Sequence, residues 1–165
     1  LEINPQSFVI NSFSKYFSMT GWRLGWMIVP DDLIRPIECL SQNFFISAPT
    51  HSQLAAIAAF DSYDDAEENI KRYARNRSIL MNELPSAGIS NFAPADGAFY
   101  IYADISKLTN SSSEFCDNML NDIGVACTPG LDFDPIRGGS SIRLSFAGSE
   151  ADIVAACKRL RNWLR

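Results

Sequence analysis

Ser12, Ser14, Lys15 and Arg23 stand in one short polar segment, Ser12-Phe13-Ser14-Lys15-Tyr16-Phe17-Ser18-Met19-Thr20-Gly21-Trp22-Arg23-Leu24-Gly25. Lys15 lies among small hydroxyl residues and is followed by aromatics and Met19. A lysine drawn into such surroundings loses solvation, which disfavours its charged form and frees its amine. A free amine condenses with a carbonyl to give a Schiff base. Arg23 offers a planar cation matched to phosphate. Ser12 and Ser14 offer hydroxyl donors, and Gly21 and Gly25 permit tight backbone turns. A nucleophilic lysine beside a phosphate clamp points to a phosphorylated aldehyde as cofactor, and pyridoxal phosphate fits. A bare Ser-x-Ser-Lys is better explained as a surface lysine. The extended pattern, with Arg eight residues after the lysine and Gly two further on, is far more restrictive.

These residues need elements to position them. Phe8-Val9-Ile10 and Trp26-Met27-Ile28-Val29 read as two buried strands, with residues 11–23 as the loop between them. Pro30 stops the second run, and Asp31 and Asp32 suit the start of a helix running toward Phe44. Ile46 to Pro49 is a break, and the Ala-rich run from Thr50 to Phe60 reads as a short buried helix. A long helix follows over about residues 64–84, with acids first and bases later, as the helix dipole favours. Its apolar stripe is Ile70, Ala74, Leu80 or Met81, and Leu84, and Pro85 and Gly88 end it.

The rest alternates strand and helix. Ala98 to Ala103 reads as a strand, and Ser113 to Ile123 as a helix closed by Gly124. Ile142 to Ala147 reads as a strand. Ser149 with Asp152 caps a last helix whose apolar positions follow the i, i+3, i+4, i+7 rule. On the Ile142–Ala147 strand, Ile142, Leu144 and Phe146 share one face. Arg143 takes the other, beside small Ser145 and Ala147, with room for a bidentate carboxylate contact.

Composition narrows the class. The 165 residues are 47% hydrophobic, 12% aromatic and 20% charged, which are globular values. A formal charge of −5 argues against general binding to nucleic acid or anionic membranes. No apolar run reaches the length of about 18 residues that a membrane span needs. The start LEINPQSF lacks the regions of a signal peptide. The cysteines at 39, 116, 127 and 157 form no CxxC pair, so reduced thiols without a metal are expected. A cytoplasmic location follows. His51, the sole histidine, is expected at the surface near a helix N-terminus.

The lysine segment resembles that of the class I and II aminotransferases, the fold-type-I pyridoxal-phosphate family, and most of all the branch of bacterial aspartate and aromatic aminotransferases. The resemblance continues in Pro94-Ala95-Asp96-Gly97-Ala98-Phe99-Tyr100, in Thr128-Pro129-Gly130-Leu131-Asp132-Phe133 and in Ser140-Ser141-Ile142-Arg143-Leu144-Ser145-Phe146-Ala147. Asp134 stands where that family usually has Gly. The resemblance implies that Lys15 carries the cofactor and that Ser12 and Arg23 hold its phosphate, with Ser14 a weaker member of the same network. It implies that Arg143 binds the substrate α-carboxylate. Phe99 and Tyr100 are candidates to line the pocket, and residues 47–50 to reach a partner subunit's site.

The implied fold is α/β: residues 1–65 as the last part of a large mixed-sheet domain, and residues 66–165 as a small α+β domain. The resemblance covers the C-terminal part of the family's length. The family's aspartate for the pyridine nitrogen, its ring-stacking aromatic, its phosphate-binding helix turn and its phenol-binding Tyr are expected upstream of Leu1. The implied activity is amino-group transfer between an amino acid and a 2-oxo acid by a homodimer, with these residues alone inactive. Two alternatives use the same residues. One is another fold-type-I enzyme, a carbon–sulfur lyase or a cyclopropane-carboxylate synthase. The other is the effector domain of an aminotransferase-like transcription regulator.

Overall fold

The computed structural model describes residues 4–165. The chain divides into two compact units, one ending at Asn69 and one from Ile70 to Arg165.

The first unit opens with an antiparallel hairpin of β1 (Val9–Ser12) and β2 (Gly25–Ile28), paired in register from Val9 opposite Ile28 to Ser12 opposite Gly25. Helices α1 (Asp31–Phe45) and α2 (Thr50–Ala59) follow, and then the start of α3 (Tyr63–Glu83). The expected strands and helices are present, but they are not buried. Every residue of β1 and β2 is exposed. Along α2 only Ser52 and Ala56 are buried, while Leu54 and Ile57 stay 62% and 68% exposed. A two-stranded sheet has two faces, and the helices of this unit do not cover both. The small core of the unit is Phe13, Met19 and Ala56, with Phe17, Leu24, Ala55 and Ala59 packed around it.

The second unit is a four-stranded antiparallel sheet in the order β3 (Asn91–Phe92), β4 (Tyr100–Asp104), β6 (Ser141–Ser145), β5 (Thr128–Pro129). Its period-2 alternation sorts the side chains. Ile101, Ala103, Ile142 and Leu144 enter the core with Phe115 and Met119 of α4 (Ser112–Ile123) and Ile153, Cys157 and Leu160 of α5 (Glu150–Trp163). The C-terminal part of α3 adds Leu80, and Leu84 follows directly after its end. Tyr100, Tyr102 and Arg143 fall on the opposite face, since Tyr102 pairs with Arg143 and Tyr100 with Ser145.

Local signals at the helix ends act as the sequence suggests. The Ser149 hydroxyl accepts from the Asp152 amide at 3.1 Å, and Gly124 closes α4 at φ 63°. The β4 strand starts two residues later than the sequence suggests, because Ala98 takes φ 58° and turns the chain there. The short strands β3 and β5 are too brief for periodicity to reveal. No helix among the described residues is long and apolar enough to cross a membrane.

Candidate active site

The lysine segment is a closed loop. The β1–β2 pairing brings its ends together, and Phe13 N–H donates to Leu24 O at 3.2 Å across its base. Gly25 must be glycine there, because a Cβ would lie 2.7 Å from Asn11 O. Inside, the Met19 amide donates to Phe13 O at 3.1 Å, which folds the two buried side chains Phe13 and Met19 beneath the loop. Phe13 and Phe17 meet Phe60 edge-on, with ring centroids 5.5 and 5.6 Å apart, fastening the loop to the end of α2. Ser52 Oγ of α2 donates to Trp22 O at 2.6 Å.

This scaffold joins the four site residues taken from the sequence. Ser14 N–H donates to Ser12 Oγ at 3.0 Å. Thr20 Oγ1 donates to Ser14 O at 2.7 Å, and Arg23 Nη1 donates to Thr20 O at 2.9 Å. Lys15 O accepts from Ser18 N–H at 3.0 Å. Ser18 and Arg23 both sit in the left-handed region, at φ 55° and 51°, a conformation that costs an L-residue roughly 1 kcal/mol or more and is concentrated at functional loops. Lys15 and Arg23 are exposed. Phe13 and Met19 are buried while Lys15 is exposed, so these two neighbours do not enclose its amine within the described residues. Beside it, Tyr16 Oη donates to Glu67 Oε1 at 2.6 Å. That bond holds the Tyr16 proton and pushes its pKa up to about 12. Thr20, which ties Ser14 to Arg23, had no signal in the sequence beyond its place in the segment.

Arg143 belongs to the second unit and is half-buried on the open face of the sheet. Its Nη2 donates to Thr128 Oγ1 at 3.4 Å, because the β5–β6 register sets Thr128 opposite it. The guanidinium carbon lies 5.0 Å from the Tyr100 ring centroid and 4.5 Å from that of Phe133. Of the two aromatics proposed at the strand entry, Tyr100 reaches Arg143. Phe99 packs instead against the core, with Tyr73 at 6.4 Å. Phe133 is the residue that sequence reasoning did not single out.

The loop that carries Phe133 is tightly held. Phe133 and Asp134 amides both donate to Gly130 O, at 2.9 and 3.0 Å. Asp134 Oδ1 accepts from the Ile136 and Arg137 amides at 3.0 and 2.9 Å, and Oδ2 from Arg137 Nε at 2.9 Å. The Arg137 bonds lead in holding the Asp134 carboxyl below its usual range. Across the loop Gly138 meets Gly130 so closely that a Cβ on Gly138 would lie 2.2 Å from the Gly130 backbone.

His51 lies exposed in the first turn of α2. The break before it contains Ile46 at φ 68°, ψ −69°, with Ser47 N–H donating to Phe45 O at 2.7 Å. That is a γ-turn, strained for a β-branched residue.

The model of the aminotransferase class I and II family matches residues 1–160. The chain belongs to this family. It is 52% identical over 158 residues to a valine–pyruvate aminotransferase of Mycobacterium tuberculosis, covering 94% of this chain and 41% of that protein. An aspartate aminotransferase of Sulfolobus acidocaldarius is 30% identical, over 96% of this chain and 40% of its own length. Among solved structures, an aminotransferase from Mycobacterium tuberculosis superposes with a TM-score of 0.95 at 50% identity, over 99% of this chain and 43% of that one. The chain thus spans about two fifths of the length of the aminotransferases it matches.

Proposed function

We propose that these residues are the C-terminal part of a pyridoxal-phosphate-dependent aminotransferase that exchanges an amino group between an amino acid and a 2-oxo acid. The observation that carries this reading is the bonded loop in which Ser12, Ser14, Lys15 and Arg23 are held by a shared scaffold. Its donor set suits the cofactor: an amine, two hydroxyls and a guanidinium, on a backbone strained into place. Pyridoxal phosphate supplies an aldehyde that takes up amines and a ring that accepts the electrons released at the substrate Cα.

This chain's own residues divide the remaining work. Lys15 Nζ would hold the cofactor covalently and, as a free amine, would take the Cα proton and return it. Arg23 and the Ser12 hydroxyl hold the phosphate, with Ser14 supporting them. Arg143 binds the α-carboxylate and so orients the Cα–H bond.

The relative that is 52% identical is named for valine and pyruvate. That supports this pair as the first to assay, ahead of the aspartate and aromatic substrates suggested by the lysine segment. We place the active form in the cytoplasm as a homodimer. These 165 residues alone are expected to bind the cofactor weakly and to be inactive.

In the complete enzyme, Lys15→Ala abolishes transamination between valine and pyruvate, followed as alanine formation. Turnover retained by Lys15→Ala would defeat the assignment. Tight, stoichiometric cofactor binding with turnover by the 165-residue chain would defeat the expectation that it is inactive.

A further inference from the structure

Arg143 has two kinds of neighbour that its strand position alone does not explain. Thr128 takes one of its N–H donors at 3.4 Å. Two aromatic rings, Tyr100 and Phe133, stand 5.0 and 4.5 Å from its guanidinium carbon. Tyr100 comes from the neighbouring strand β4, but Phe133 comes from a loop and is 48% exposed. Phe133 lies outside the hydrophobic core, so core burial does not account for its position. The loop delivers it: the Gly130 carbonyl receives the amides of Phe133 and Asp134, the Asp134 carboxylate fastens Ile136 and Arg137, and Gly138 packs on Gly130. Phe133 also meets Tyr102 edge-on, with ring centroids 6.3 Å apart at 82°. That contact fixes its rotation.

A guanidinium is attracted to aromatic faces and binds carboxylates through its in-plane N–H edge. Rings beside it leave that edge as the route for an anion, and they displace water that would screen the pair. An arginine without such neighbours keeps its charge but samples many rotamers, which weakens a bidentate contact.

We propose that Phe133, with Tyr100, is a positioning residue that presents the Arg143 guanidinium edge-on to the substrate carboxylate. The proposal rests on the reading of Arg143 as the α-carboxylate site, and its test separates the two. The complete holoenzyme is assayed with valine and with 2-methylpropan-1-amine, the same side chain without a carboxylate. The variants are Arg143→Gln, Phe133→Leu and Phe133→Tyr, each checked for an unchanged melting temperature.

Arg143→Gln should raise the KM for valine and leave the amine untouched. An equal effect on both substrates would overturn the carboxylate role itself. Phe133→Leu should raise the KM for valine about fivefold, in line with a cation–π contact at a partly exposed site. It should leave kcat within about twofold and the amine unaffected. Phe133→Tyr, which keeps the ring, should restore the native KM. With the Arg143 effect present, the proposal falls if Phe133→Leu changes neither substrate, if it changes both alike, or if the tyrosine fails to rescue.

Discussion

Asn76 is the polar group whose loss should be felt most. It lies on α3, fully buried at 0% exposure. Its Nδ2 donates to Phe146 O at 2.9 Å and to Gly148 O at 3.0 Å. Only the amide nitrogen can donate to two carbonyls, so the pairing also fixes which way the amide points. Those carbonyls lie just past β6, the strand that carries Arg143. Asn76→Ala removes both donors. The Phe146 carbonyl sits in a buried environment and keeps its desolvation penalty, about 1–3 kcal/mol. The Gly148 carbonyl is at an exposed residue and rehydrates, adding roughly 0–1 kcal/mol. The cavity left by the amide adds about 1 kcal/mol. The sum is about 2–5 kcal/mol, a fall of roughly 1–3 M in the urea midpoint at a slope near 1.5 kcal/mol/M.

Circular dichroism during urea unfolding of the chain measures this. Asn76→Asp adds a sign test. A carboxylate facing two carbonyls has its folded pKa raised above the unfolded value of about 3.9. Its stability relative to the native chain is therefore highest below that value and is lost as pH rises through the folded pKa. At pH 7 Asn76→Asp should be worse than Asn76→Ala, and it should recover toward pH 4. A midpoint shift below about 0.3 M for Asn76→Ala, under 0.5 kcal/mol at that slope, would refute the reasoning. So would a pH-independent Asn76→Asp.

Other outcomes follow from the same kind of geometry. Gly138→Ala forces a Cβ to within 2.2 Å of backbone at Gly130; overpacking of about 2 kcal/mol should lower Tm by roughly 4–8 °C, and a Tm within about 2 °C of native would contradict the close approach. Asp134 is held below the usual carboxylate range, chiefly by the Arg137 amide. The stability lost in Asp134→Ala should therefore be fully present above about pH 4 and vanish as pH falls through the lower folded value; pH-resolved thermal melts read the convergence. Cys116 and Cys127 bring their Sγ atoms to 3.2 Å, and burial pushes both thiols up. Iodoacetamide at pH 8 should thus label the partly exposed Cys39 before either, as peptide mass mapping would show.

The features legible in the sequence are those that local chemistry decides. Ser149 caps α5 because its hydroxyl needs only an amide three residues on. Gly124 ends α4 because glycine alone takes φ 63° without strain. Ile142, Leu144 and Phe146 alternate into the core because strand geometry sends every second side chain the same way. The lysine segment was readable for a different reason: its side chains serve one loop, so their spacing is the motif. Burial of β1, β2 and α2 was misjudged because apolar content tells which residues can be buried, not what is available to cover them.

What only the tertiary structure decided lies between residues far apart in the chain. Thr128 meets Arg143 through strand register, and Phe133 meets it through a loop closed by two glycines. Asn76 meets Phe146 across 70 positions. The sequence by itself marked Lys15, its polar neighbours Ser12, Ser14 and Arg23, and the strand arginine Arg143 as the candidate site residues. Their neighbours were set by pairing and packing, because those contacts depend on where distant backbones come to rest and leave no periodic trace along the chain.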